Sequence, residues 1–205
     1  ARVIAREVAV LCGSAWFDEC FRQLDPDARI EWLASDGERT VAGAQRVVMV
    51  VYDKELERTL RARKLAFENA TQQAGHAWIE VDVTDAFATW MAEEEYRDAY
   101  FESPEDLQIK LDAEFPGYVA GIIRDTLRRP DVNETTVVAL FGVGSLFGFT
   151  RVSQLIKLVE GDIQGRLAVF FPGHFERSNY RLLDARDGWN YLAVPVTLYS
   201  EGDFA

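Results

Sequence analysis

Residues 46–53 read RVVMVVYD, a run of β-branched and other apolar side chains between one Arg and one Asp. A run without polar alternation is typical of a strand that is covered on both faces, as in a parallel sheet. The segment after it carries Leu56, Leu60 and Phe67 among charged residues, a pattern that predicts an amphipathic helix ending near Gly75. Helices of this kind cover the faces of parallel sheets, so the two segments together predict an α/β fold.

Four more strand patterns follow, most of them separated by helical segments. The first alternates between apolar and acidic residues and is expected at a sheet edge or half exposed. The four are AWIEVDV (77–83), TTVVALFGV (135–143), RLAVFF (166–171) and NYLAVPV (190–196). With residues 46–53 they predict a three-layer α/β domain, in which a mostly parallel five-stranded sheet has helices on both faces and right-handed crossovers.

The length and composition of the chain fit one domain. With 205 residues, of which 48% are hydrophobic, the chain is long enough to bury one core. We therefore assign residues 1–205 to a single domain. Residues 1–43 read as short N-terminal helices, and residues 44–205 form the α/β core.

Two helix starts are marked by capping residues. SPEDL (103–107) places Ser103 at the cap position of a helix that is expected to kink at Pro116 and to stop at Pro130. Thr150 is expected to cap the later helical pattern RVSQLIKLVE.

The net charge of −12 disfavours direct binding of duplex DNA, because nonspecific affinity for DNA comes from cations that neutralise phosphates. The charge is distributed unevenly. Residues 80–115 hold twelve acids and two bases, whereas residues 54–64 hold five bases and two acids. These segments are either solvated helix faces or opposite-sign patches that orient docking with other proteins.

No pattern in the sequence indicates a disulfide framework or a membrane segment. Cys12 and Cys20 lie outside any CxxC or Cys/His pattern, so neither a structural zinc nor a disulfide is expected. The apolar runs are shorter than the roughly 20 residues of a membrane-spanning helix, and the first residues show no export signal. We therefore expect a cytoplasmic protein without membrane contact.

The carboxyl ends of parallel strands are where ligands collect in α/β proteins. After the first strand, YDKELER (52–58) lacks the GxxxxGK[ST] pattern whose backbone N–H groups wrap phosphates. The core is thus expected to resemble a P-loop fold without its phosphate-binding motif, and a degenerate nucleotide-sensing domain is one alternative. GVGSLFG (142–148) departs from the dinucleotide fingerprint, and Ser145 lacks the GxSxG pattern of a hydrolase. We expect a tight apolar turn there, and no cofactor.

Asp53, Asp82 and Asp85 at or near strand ends offer a second alternative, a magnesium-dependent nuclease or phosphohydrolase. Clustered carboxylates hold magnesium because the hard cation prefers oxygen ligands. The simpler interpretation is that Asp53 and Asp85 cap the helices that follow them. His76 and His174 have no second histidine at ligand spacing and are expected to be turn residues. We favour the structural roles and predict no metal and no catalytic residue.

The segment NYRLLDARDGWNY (179–191) is predicted to be a loop between two buried strands. Its Arg and Asp residues balance each other, which disfavours phosphate binding, whereas Arg, Tyr and Trp are residue types that dominate protein interfaces. Alternatively, the Arg–Asp pairs hold a long connection together and the aromatic rings fill the core. The residues predicted to contact a partner are Asn179, Tyr180, Arg181, Asp184, Arg186, Asp187 and Trp189.

Several stretches resemble the BrxB family of the bacterial BREX anti-phage systems. The most specific are FFPG (170–173), GSLFGFTRVS (144–153) and NYRLLDARDGWNYLAVP (179–195). The resemblance spans residues 43–197 and is weakest over residues 1–42. It implies a small cytoplasmic component without an enzymatic activity of its own. Such a component works beside a PglZ-type protein of the alkaline phosphatase superfamily, a PglX-type adenine methyltransferase and a BrxC-type ATPase.

The residues and the resemblance lead to one expected function. We expect a non-catalytic adaptor of a phage-defence assembly, which binds a PglZ-type partner through a surface that includes residues 179–189. The magnesium-dependent enzyme and the degenerate nucleotide sensor are the two alternatives.

Overall fold

The structure is a computed structural model, and it describes residues 46–73, 75–176, 179–183 and 193–198. The predicted N-terminal helices over residues 1–43 lie outside the described residues. None of the described helices combines the length and the apolar character that crossing a bilayer requires.

Strands and helices alternate along the described part of the chain. The strands are β1 (Val47–Tyr52), β2 (Ala77–Asp82), β3 (Thr136–Phe141), β4 (Arg166–Glu176), β5 (Asn179–Leu182) and β6 (Val194–Leu198). The α-helices are α1 (Glu57–Ala62), α2 (Lys64–Gln73), α3 (Ala86–Ala92), α4 (Arg97–Glu102), α5 (Pro104–Leu127) and α6 (Val152–Val159). Short 3₁₀ turns occur at Lys54–Leu56, Val143–Leu146 and Glu160–Asp162.

Five strands pair in parallel in the order β2-β3-β4-β1-β6. In the middle of β1, Val50 lies opposite Phe170 of β4 on one side and opposite Val196 of β6 on the other. The predicted parallel five-stranded sheet is therefore confirmed. β5 is an additional strand that pairs antiparallel with the end of β4. The prediction of a loop over residues 179–182 is wrong.

The two faces of β1 contribute to two separate hydrophobic clusters. Val47, Met49 and Val51 belong to the cluster on one face of the sheet, whereas Val48 and Val50 belong to the cluster on the other face. Every residue of the strand is buried. The prediction that RVVMVVYD forms a strand covered on both faces is confirmed.

Helices cover both faces of the sheet. On one face, α1 and α2 bury Leu60 and Phe67, and the Phe67 ring lies edge-on to Phe170 with 5.1 Å between centroids. On the other face pack α3, α5 and α6, where the rings of Trp90 and Phe115 lie 5.3 Å apart. The layers are therefore helix, sheet and helix, the predicted three-layer architecture.

The helix boundaries agree in part with the sequence predictions. The single amphipathic helix expected after β1 is divided at Arg63, whose backbone (φ −110°, ψ 12°) leaves the helical region. α5 begins at Pro104, as predicted, although the Ser103 side chain makes no capping hydrogen bond. The helix runs through Pro116 and ends at Leu127.

Thr150 does not cap α6, contrary to the sequence prediction. Arg151 occupies the cap position, and Thr150 Oγ1 is buried without a hydrogen-bond partner in the part of the chain that the structure describes. The backbone N–H of Thr150 donates to Leu146 O at 3.1 Å. Thr150 therefore belongs to the preceding turn and not to the start of the helix.

Gly142 follows β3 at a point where a side chain does not fit. Its φ of 83° lies in the left-handed region, and a Cβ there would lie 2.5 Å from the Thr84 nitrogen and 2.7 Å from Asp82 Oδ1. Gly148 has a similar φ of 85°, but a Cβ on it would have no atom within 4 Å. Both positions favour glycine for backbone reasons, and Gly142 has a steric reason as well.

We expect Gly142→Ala to lower the free energy of unfolding by about 3 kcal/mol, of which about 1 comes from the left-handed backbone and about 2 from the forced contacts. Gly148→Ala is the matched control, because it carries only the backbone penalty of about 1 kcal/mol. Urea denaturation of both variants measures the difference. Equal losses would contradict the close approach of Gly142 to Thr84.

Candidate functional site

The carboxyl ends of the parallel strands form the edge at which α/β proteins bind ligands. β1 is followed by Asp53, β2 ends at Asp82, and β3 is followed by Gly142. β4 continues past the last residue of β1 into the hairpin with β5. The side chains at this edge decide what the sheet is able to bind.

Asp53 caps the 3₁₀ turn Lys54–Leu56. Its Oδ1 accepts a hydrogen bond from the Glu55 N–H at 2.8 Å. A phosphate loop would present backbone N–H groups to a ligand at this turn, whereas here the carboxylate of the chain itself occupies one of them. The prediction that Asp53 is a cap is confirmed.

Asp82 is held by partners on two sides. Its Oδ2 accepts a hydrogen bond from Arg61 Nη1 at 2.8 Å, and Lys64 Nζ lies 3.5 Å from the same oxygen. Its Oδ1 accepts from the Thr84 N–H at 3.0 Å and from the Thr84 hydroxyl at 2.5 Å. Each oxygen of this carboxylate therefore has two partners within the chain.

Arg61 connects α1 to the end of β2. Its Nε donates to Glu57 Oε1 at 2.6 Å, and its Nη2 donates to Thr84 Oγ1 at 2.7 Å. Tyr52, the last residue of β1, donates its hydroxyl to Glu57. We call the connected side chains the edge network; its members are Tyr52, Glu57, Arg61, Lys64, Asp82 and Thr84.

Lys64 extends the edge network over the end of β3. Its Nζ lies 2.9 Å from Glu80 Oε2 and 4.0 Å from the centroid of the Phe141 ring. An ammonium group above an aromatic face at a partly exposed site gains about 0.5 to 1 kcal/mol. Lys64 therefore contacts both an acidic side chain of β2 and an aromatic ring of β3.

The contacts in the edge network shift the pKa values of Asp82 and Tyr52. Partial burial raises the pKa of Asp82, but hydrogen bonds from Thr84 and Arg61 lower it by more, so that the pKa falls to about 2. Burial and the hydrogen bond to Glu57 raise the pKa of Tyr52 above its ordinary value. At neutral pH, Asp82 is thus an anion held by cations, and Tyr52 is a neutral donor.

Asp53, Asp82 and Asp85 are not brought together. β4 and β3 lie between β1 and β2, so the ends of β1 and β2 are about 14 Å apart at about 4.8 Å per strand. One magnesium ion binds its oxygen ligands at about 2 Å, so this separation contradicts a shared metal site. Within the described residues, no group of three His, Cys, Asp or Glu side chains is placed to hold a metal ion. Asp85 stands at the cap position of α3, but its side chain makes no capping hydrogen bond, so the prediction that this carboxylate caps the helix is wrong.

The segment GVGSLFG forms the tight apolar turn that its sequence predicts. Val143 and Leu146 are buried within the 3₁₀ turn that follows Gly142. Ser145 Oγ donates to the Gly142 carbonyl oxygen at 2.8 Å. The serine hydroxyl therefore stabilises the turn.

The hairpin of β4 and β5 extends beyond the neighbouring strand. β1 pairs with β4 as far as Pro172, and the next residues of β4 pair with β5 instead. A Cβ at Gly173 would lie 2.0 Å from the Arg181 carbonyl oxygen. The two strands of the hairpin approach each other closely here, and only glycine permits this approach.

Tyr180 is buried beneath the hairpin, so its prediction as a partner-contacting residue is wrong. Its ring centroid lies 4.6 Å from that of Phe175 and 6.0 Å from that of Phe171. Its hydroxyl donates to Ala193 O at 3.0 Å. Burial raises the pKa of Tyr180, so the hydroxyl keeps its proton. For this residue the alternative, that the aromatic ring fills the core, is confirmed.

Asn179 and Arg181 lie on the opposite face of β5 from Tyr180, because side chains alternate along a strand. Arg181 is exposed and pairs in register with His174, which is also exposed. His174 therefore lies in a strand and not in the predicted turn. We call Asn179, Arg181 and His174 the hairpin face. Four other predicted contact residues lie outside the described residues; they are Asp184, Arg186, Asp187 and Trp189.

We expect Asp82→Asn to flatten the dependence of stability on pH between about pH 4 and pH 2. The pKa of Asp82 is lower in the folded chain than in the unfolded chain, so its contribution is present above this range and is lost as the pH falls through it. The side chain is partly exposed, and screening reduces the expected contribution to about 1 kcal/mol. Urea denaturation at a series of pH values measures it.

Asp85→Asn is the matched control for Asp82→Asn. Asp85 follows β2 in the same turn, but its side chain makes no capping hydrogen bond. The control therefore reports the effect of removing one negative charge from this turn. An unchanged pH profile in Asp82→Asn would contradict the role of the edge network.

We expect Tyr180→Phe to lower the free energy of unfolding by about 1 to 2 kcal/mol, because the Ala193 carbonyl group loses its donor in a buried position. Tyr118→Phe, which removes the hydroxyl of a half-buried ring on α5, is the control and should change stability little. Thermal denaturation followed by circular dichroism compares the two variants. A loss no larger than that of the control would contradict the buried hydrogen bond.

The comparisons with known proteins give no relative. No protein-family model, no curated protein and no solved structure matches this chain.

Proposed function

We propose that the protein is a non-catalytic adaptor of a BREX phage-defence assembly, and that it binds a PglZ-type partner protein. The observation that carries the proposal is the pairing of Asp82 with Arg61, Lys64 and Thr84 at the carboxyl edge of the sheet. This edge is where an α/β enzyme holds its substrate or metal. In this protein the charged groups at that edge form ion pairs and hydrogen bonds with one another.

Binding of a ligand at the edge network would require breaking contacts within the chain. A metal ion or a phosphate at Asp82 would have to displace Arg61 or Thr84 from the carboxylate. Hydrogen bonds to charged groups contribute about 1.5 to 3 kcal/mol each, so the displacement would remove contacts that also join α1 to β2. The arrangement favours a structural role for these residues.

The hairpin is supported by aromatic packing on its inner face. The rings of Phe171, Phe175 and Tyr180 pack together beneath it, and this packing limits the motion of the strands. A rigid surface loses little conformational entropy when a partner binds. The exposed Arg181 and His174 lie side by side on the outer face of the hairpin, and arginine is enriched among residues that dominate binding energies.

The identity of the partner rests on the resemblance to the BrxB family. Residues 179–195 are one of the three most specific stretches of that resemblance, and they contain Asn179 and Arg181 of the hairpin face. His174 directly follows FFPG (170–173), another of the three stretches. The family works beside a PglZ-type protein, a PglX-type methyltransferase and a BrxC-type ATPase. We propose the PglZ-type protein as the direct contact, and the other two as members of the same assembly.

We expect Arg181→Glu combined with Trp189→Ala to weaken binding to the PglZ-type neighbour by at least about tenfold, because removal of one dominant interface residue costs about 2 kcal/mol. The measurement is co-purification of the tagged protein with the PglZ-type protein, followed by titration of the purified pair. Tyr180 stays unchanged, so the core of the hairpin is preserved.

Arg151→Glu is the matched control for the charge reversal. Arg151 is an exposed arginine at the start of α6, outside the hairpin. The control should bind as the wild type does. Unchanged binding by the double variant, with its fold intact by circular dichroism, would show that the hairpin face does not make the contact.

A further inference from the structure

We propose that Tyr96, α4 and the first half of α5 form a docking surface for a basic amphipathic segment of a partner protein. This surface uses other residues than the hairpin face, and the inference holds whether or not the hairpin binds a PglZ-type protein. We call it the acidic–apolar face. Its members are Tyr96, Asp98, Phe101, Glu102, Glu105, Asp106, Ile109 and Asp112.

Large apolar side chains of this face are exposed to solvent. Ile109 is 79% exposed, Phe101 is 66% exposed and Tyr96 is 63% exposed. These three account for half of the six exposed large hydrophobic residues in the described part of the chain, and they lie within one short stretch. Concentration of exposed apolar side chains in one region is typical of interaction sites.

The exposed apolar residues do not belong to the core-facing stripes of their helices. Along α5, Leu111 and Phe115 are buried in the core at a spacing of one helical turn. Ile109 shares its exposure with Glu105 and Asp112, one turn before and after it. On α4, Tyr100 packs against the core while Phe101 does not. Ile109 and Phe101 are therefore not the rim of the hydrophobic core.

The charge around these residues is negative and largely unpaired. Residues 93–114 hold nine acids and two bases. Both bases are engaged, since Arg97 Nε lies 3.2 Å from Asp98 and Lys110 contacts Glu94. Among the described residues, no ion pair involves Glu102, Glu105 or Asp106. In the edge network, by contrast, the acidic side chains Glu57 and Asp82 form ion pairs with Arg61 and Lys64.

This combination fits one kind of occupant. A partner with complementary charge carries Lys or Arg residues. The same partner must also carry apolar side chains that cover the exposed Phe101 and Ile109. An amphipathic helix offers both on one surface. Nucleic acids and anionic membranes carry the same charge sign as this face and are repelled.

A second copy of this chain is a poor occupant. Its basic segment, residues 54–64, is the natural candidate for contact with an acidic face. Arg61 and Lys64 of that segment are already bound to Glu57, Glu80 and Asp82 within the same chain. Two of the five bases in this segment are thus engaged within the same chain, and this favours a different protein as the occupant.

The test uses the full chain and a fluorescent Lys–Leu peptide of about 18 residues, with Leu at the i, i+3, i+4 and i+7 positions of a helix. We expect the peptide to bind, and the same residues in a non-amphipathic order to bind at least about fivefold more weakly. Fluorescence anisotropy measures both. Equal binding of the two peptides would overturn the proposal.

One pair of variants tests the apolar part of the acidic–apolar face. Phe101→Ser with Ile109→Ser should weaken binding of the peptide at least about tenfold. Leu65→Ser with Leu158→Ser removes two apolar side chains that are exposed on other helices, and it should leave binding unchanged. Equal losses in the two double variants would overturn the proposal.

A second pair separates the acidic part of the face from general attraction to an acidic protein. Glu102→Lys with Glu105→Lys should weaken binding more than Glu68→Lys with Asp125→Lys, which changes the net charge equally on α2 and at the far end of α5. Thermal denaturation confirms that each variant is folded. Losses of the same size in both would leave only a general charge effect and would overturn the proposal.

Discussion

The structure depends on the need to bury both faces of β1. Its alternate residues Met49 and Val50 point into two different hydrophobic clusters, so neither face can be left to solvent. Only a sheet with helices on both sides satisfies this requirement. The chain that leaves β1 must therefore form a covering layer before it returns as β2. α1 and α2 are that layer, and Phe67 on α2 fills it against the sheet.

The same layer brings charge to the carboxyl edge. α1 lies over the sheet between β1 and the distant edge strand β2, and Arg61 reaches from it to Asp82. Lys64, at the start of α2, reaches the same carboxylate and covers the ring of Phe141. The edge network is thus a consequence of how the helical layer crosses the sheet. It uses the acidic groups that an enzyme of this architecture would direct at a ligand.

The two proposed interaction surfaces lie away from the edge network. β4 and β5 form a hairpin beyond the end of β1, with Arg181 exposed on it. α4 and α5 expose Phe101 and Ile109 among acidic side chains. An adaptor needs more than one contact surface, because it holds at least two proteins together. The proposed function and the proposed docking surface are consistent with each other on this ground, although each is tested separately.

Local patterns in the sequence predict the class of the fold, the parallel sheet and the start of α5, because continuous apolar runs and Pro104 act through local backbone and solvent preferences. Which charged side chains meet, and which faces are buried, depends on contacts between segments that are distant along the chain. Arg61 and Asp82 are 21 positions apart, and no local pattern indicates their contact. The sequence predicts Tyr180 as a partner-contacting residue in a loop, whereas antiparallel pairing with β4 turns its side chain inward. Pairing between distant segments sets both outcomes, and it depends on the packing of the whole chain.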